Sequence, residues 1–137
     1  MSVFFETTFP VAVPDQIVAG NDRGIVAQLP FAAQFVSGSI YLAVTNCIGS
    51  GGAISAIVNK YLVAANVVTT ATAISSTLAC SATDDAQVRE FTPLKTAAAN
   101  CLAANAIGVV VTITGATAAV ATGVVALLTF RRPLRPE

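Results

Sequence analysis

Apolar and polar residues alternate with a period of two along much of this chain. In "SIYLAVTN", residues 39–46, Ile40, Leu42 and Val44 face one way and Tyr41, Ala43 and Thr45 the other. In "QVREFTPL", 87–94, Val88, Glu90 and Thr92 alternate with Arg89, Phe91 and Pro93. That period belongs to a β-strand. Gly and Asn recur between such runs and cut the chain into segments of about eight residues, the strand-and-turn rhythm of an all-β sandwich. The pattern predicts strands over 24–31, 39–46, 53–61, 66–74, 75–82, 87–94, 107–114 and 122–130. "NDRG", 21–24, and "GSGG", 49–52, read as turns. About eight strands with short polar connections predict an all-β, two-sheet antiparallel β-sandwich or jelly roll.

Residues 1–22 lack enough local pattern to build a core. Pro10 and Pro14 keep them out of a central strand, so they read as an extended N-terminal arm that lies on a neighbour. The sandwich domain is then 23–131, and 132–137 is a C-terminal tail. "MSVFFETTFPVAVPDQ" has no basic start and no long apolar run, so it does not read as a signal peptide.

Composition raises a rival. Only 10% of the 137 residues are charged, against a usual share of about 25%, and 55% are hydrophobic. Stretches 25–59, 61–83 and 96–130 carry no charge, and each could cross a bilayer, which takes about 20 apolar residues. A small multi-span membrane protein is therefore an alternative, with 106–130 the best helix candidate. Against it, "VVTTATAISSTLACSAT" is rich in Ser and Thr, and β-branched residues outweigh leucine.

Formal net charge is zero, which gives no electrostatic case for nucleic-acid binding. There is no His, so no Ser–His or Cys–His nucleophile can be built, and the commonest metal ligand is missing. Cys47, Cys80 and Cys101 are far apart and form no CxxC, so they are expected as reduced, buried thiols. The only clustered carboxylates are Asp84, Asp85 and Glu90. They read as a solvated turn leading into an edge strand, with a cation site as the alternative. Arg89 and Glu90 are adjacent and must face opposite sides of a strand. These residues predict no enzyme, no catalytic residue, no metal and no cofactor.

"ATDDAQVREFTPL", "KTAAANCLAAN", "IGVVVTIT" and "ATGVVALLTFRRP" together resemble the C-terminal half of small β-sandwich virion proteins of tailed bacteriophages. Those proteins serve as capsid decoration (cement) subunits, head fibres or tail-fibre modules. The matching positions are Glu90 to Leu94, Gly108 to Thr114 and Thr122 to Val125, and the likeness covers roughly residues 82–131. The acidic residue usual after each glycine is Val109 or Val124 here, which makes the faces more apolar and favours a protein packed against neighbours. The resemblance implies a structural capsid decoration subunit at the virion surface, made in the host cytoplasm. Its partners would be itself, as a homotrimer, and the major capsid protein or another virion protein. A fibre or receptor-binding module is the alternative. Partner contacts are expected from Phe4, Phe5 and Phe9 on the arm and from Arg131, Arg132 and Arg135 at the other end.

Overall fold

The alternating runs form strands in the computed structural model, which describes residues 4–14, 20–26, 28–42, 53–80, 87–94, 100–114 and 124–133. Among these residues the structure is all β. The strands are β1 (Phe4–Ala12), β2 (Gly20–Val26), β3 (Ala33–Leu42), β4 (Ala53–Ala64), β5 (Val67–Ala73), β6 (Leu78–Cys80), β7 (Gln87–Glu90), β8 (Asn100–Cys101), β9 (Ala106–Thr114) and β10 (Val125–Pro133). The first sheet has the order β1-β10-β3-β7, with β8 also paired to β3. The second has the order β2-β9-β4-β5, with β6 also paired to β4. All these pairs are antiparallel.

This order is a long hairpin rolled up. β4 and β5 form its tip, joined by Ala65 and Asn66, both with positive φ (50° and 65°). Positive φ at both central residues is what a tight two-residue hairpin turn needs, and Asn tolerates it well. Behind the tip, β3 pairs with β7 and β8, β2 with β9, and β1 with β10. Rolling then sets β10 beside β3 and β9 beside β4. The result is the jelly roll expected from the sequence.

Inward residues of both sheets meet in one core. Phe35, Ile40, Ala126, Leu128 and Phe130 come from the first sheet, and Ala56, Val58, Ile107, Val109 and Val111 from the second. Each large side chain buried this way stabilises the fold by about 1.5–3 kcal/mol relative to leaving it exposed. Phe130 is the hub, with Phe35 at 5.5 Å and Phe9 at 5.9 Å between ring centroids. Gly38 leaves room for this packing, since a Cβ there would press on Leu128 and Phe35, each 3.0 Å away.

Two contacts close the long sides. On one, Gly24 of β2 lies against the backbone of Ala12 in β1, where a Cβ would strike the Ala12 carbonyl. On the other, Ser75 bridges to Pro93, with Ser76 N–H donating to Thr92 O and Leu94 N–H to Ile74 O. Ser75 is buried, and its hydroxyl accepts from Val58 N–H (2.9 Å) and donates to Ser76 O (3.0 Å).

Several expectations are corrected. Phe4–Ala12, read as part of an arm lying on a neighbour, is β1 and runs in register with β10 from Phe4↔Pro133 to Ala12↔Val125. Pro10 fits because β1 is an edge strand, where a missing N–H leaves the ladder intact. "NDRG" is not a turn but the middle of β2, and its charges are tolerated on another edge strand. β3 starts at Ala33, before the predicted strand, and ends at Leu42. Within the helix candidate 106–130, Ala106–Thr114 is β9 and Val125 onward is β10, while 115–123 lie outside the described residues. No helix among the described residues is long and apolar enough to cross a membrane.

Candidate docking face

Strand register makes the outer face of the first sheet readable row by row. In β10, Ala126, Leu128 and Phe130 point into the core, so Val125, Leu127 and Thr129 point out. Val125 lies between Ala12 of β1 and Tyr41 of β3, and Tyr41 lies beside Val88 of β7. Ala12, Val125, Tyr41 and Val88 therefore form one apolar row across all four strands. Val125 is 42% exposed, Tyr41 41% and Val88 62%. The next row is Pro10, Leu127, Ser39 and Glu90, with Leu127 48% exposed.

Further along, the same face turns polar. Thr8 and Thr129 share a hydrogen bond of 2.8 Å between their hydroxyls. Beyond them, Arg131 Nε and Nη2 donate to Glu6 Oε1 at 3.0 and 2.7 Å. That pair is exposed, so it contributes at most about 1 kcal/mol and fixes geometry more than stability. A groove of about 530 Å³ runs over this face, lined among others by Thr8, Ser37, Ser39, Glu90, Leu127 and Thr129. Chemically the face offers an apolar ledge, hydroxyls to orient a guest, and the carboxylate of Glu90 alongside the Glu6–Arg131 pair. It carries no nucleophile paired with a base. Among the described residues, no group of three or more His, Cys, Asp or Glu could hold a metal ion.

The sequence-predicted contact residues fall in different places. Phe9 packs against the chain's own core beside Phe130. Phe5 is 45% exposed, and Arg132 lies over its ring at 5.5 Å and over Phe31 at 4.3 Å. Phe5 and Arg132 thus cap one end of the sandwich through cation–π contact. Arg131 is on the outer face with Glu6. The backbone of Phe4 pairs with Pro133, while Arg135 lies outside the described residues, as do Asp84, Asp85 and Cys47. Glu90 is exposed and Phe91 buried, with Arg89 on the same side as Phe91, so the opposed facing of Arg89 and Glu90 holds. Cys101 is buried, and burial pushes its thiol up to about 11 against the opposing charge of Lys60.

Sequence reasoning missed Tyr41, Val88, Val125 and Leu127. The signal was present in "VALLTF": a strand apolar on both faces has one face more than a sandwich core needs.

No protein-family model matches the chain, and no curated protein matches it in sequence. Among solved structures, a chain of the capsid of Ralstonia phage GP4 aligns with a TM-score of 0.55 at 14% identity, covering 98% of this chain and 86% of that one. Latent PorU from Porphyromonas gingivalis aligns at a TM-score of 0.47 and 8% identity, over 99% of this chain but 13% of that one. Desmodium yellow mottle tymovirus aligns at 0.39 and 7%, over 100% and 91%. The protein shares its β-sandwich fold with the chain of the GP4 capsid.

Proposed function

We propose that this protein is a structural component of a virion, a decoration or cement subunit that docks on shell subunits through the outer face of its first sheet. The observation that carries this reading is the uninterrupted row Ala12, Val125, Tyr41 and Val88 on the outside of a complete sheet. A sandwich needs apolar side chains on its inner faces only. A second apolar row costs solubility unless a partner covers it. The polar end, with Thr8, Thr129 and the Glu6–Arg131 pair, supplies a rim that orients the partner. Likeness in fold to a chain of the GP4 capsid supports the same setting.

The test uses shells of the encoding virus stripped of this protein. Val88→Glu and Leu127→Glu change exposed side chains and leave the fold intact. Each is expected to lower occupancy in a co-sedimentation assay by about tenfold, through burial of an unpaired carboxylate. Unchanged occupancy in both variants would exclude this face as the docking surface.

A further inference from the structure

We infer that β5 pairs edge to edge with β5 of a second copy of this chain. One edge of β5 is hydrogen-bonded to β4, and among the described residues no strand pairs with the other. In β5 only Val68 and Ala73 are half-buried; the remaining residues are exposed, so the strand projects from the sandwich at the hairpin tip. In a strand the N–H and C=O groups alternate between the two edges. The open edge of β5 therefore presents a row of backbone donors and acceptors.

Proteins guard such edges with charge, proline, or very short strands. The other edge strands here follow that rule. β1 carries Glu6 and Pro10, β2 Asp22 and Arg23, β7 Arg89 and Glu90, while β6 and β8 are only 3 and 2 residues long. β5 has none of these guards. From Tyr61 to Thr83 there is no charged residue, no proline and no glycine. An edge left open in this way, on a chain that guards its others, is built for pairing.

The strand's own sequence selects the partner. Antiparallel pairing of "VVTTATA" with itself about Thr70 sets Thr70 opposite Thr70, Thr69 opposite Ala71, Val68 opposite Thr72 and Val67 opposite Ala73. Every pair joins small or β-branched residues, Thr faces Thr at the centre, and no like charges meet. A charged segment from another protein would find no counter-charge on β5. The two-fold pair makes one continuous sheet from β2 of one copy to β2 of the other. It also sets Val67 of each copy, 59% exposed, at an end of the shared interface opposite Ala73 of the other. This contact is separate from the docking face, which lies on the other sheet.

Sedimentation velocity over a concentration series of the intact protein tests it. The wild type is expected to show a monomer–dimer equilibrium. Thr70→Lys places lysine opposite lysine on the two-fold axis and should weaken dimerisation by about fivefold or more, with the circular dichroism spectrum unchanged. Thr70→Glu should do the same alone, and an equimolar mixture of the two variants should restore association. A wild type that is monomeric at every concentration, an assembly of three chains, or a dimerisation constant unmoved by both substitutions would overturn the proposal.

Discussion

At Gly24 the absence of one carbon atom lets two sheets meet. Its Cα lies against the backbone of Ala12, and a backbone carbonyl cannot swing aside as a side chain can. Gly24→Ala is expected to destabilise by about 3 kcal/mol, high in the range for overpacking, and to lower Tm by roughly 10 °C in a thermal melt. Cys101 sets a pH limit instead. Its folded-state pKa is raised from 9.0 to about 11 by burial, so the folded state holds the thiol proton more tightly than the unfolded state. The stability tied to that proton is complete below pH 9 and is lost as pH rises from about 9 towards 11. Between those values, Tm of the wild type should fall more steeply than Tm of Cys101→Ala. Equal slopes would show that the thiol is not desolvated.

β1 shows what the sequence concealed at the scale of an element. Phe5, Thr7, Phe9, Val11 and Val13 do alternate with Glu6, Thr8, Pro10 and Ala12, but a threonine among the inward positions and two prolines nearby blur the period. Only the partner strand makes it a strand, and β10 is more than a hundred residues away. If residues 1–22 were only an arm lying on a neighbour, removal of residues 1–14 would leave a folded domain. The structure predicts the reverse: the deletion strips one edge from β10, removes Val11 and Val13 from the core, and uncovers Phe130. The truncated protein should lose its cooperative melt and become sensitive to proteolysis at room temperature. A cooperative transition at the wild-type Tm would contradict the pairing. β9 and β10 were legible by contrast, since β-branched runs such as "IGVVVTIT" keep their preference whatever packs on them. β2 was not, because "NDRG" carries strong turn chemistry that pairing with Val110 and Val111 overrides.

For the whole molecule, composition foretold more than position did. The surplus of apolar over charged residues implied more apolar surface than a core takes up, and two exposed apolar regions now have locations: the outer face of the first sheet and the β4–β5 tip. The sequence put contact residues at the chain ends because arms and tails are easy to see one-dimensionally. A face made from β1, β10, β3 and β7 is invisible until register places Ala12, Val125, Tyr41 and Val88 side by side. The jelly roll was inferable from strand count and spacing, but the pairing of early with late strands is a property of the ribbon and of no single segment.

That rolled ribbon also governs how the molecule comes into being. β10 is laid between β1 and β3, and the Glu6–Arg131 contact spans 125 positions of sequence. On the ribosome, the first sheet therefore waits with a gap where its central strand belongs until synthesis has passed Pro133. Early strands emerge with open edges and an uncovered apolar face, and loop closure must precede any reward from pairing. Folding thus awaits β10 and is slow, in the millisecond-to-second range of β-rich topologies, and newly made chains are most prone to stick to one another in that interval. A cell making many copies at once holds a pool of half-wrapped ribbons, each one strand short of hiding its interior.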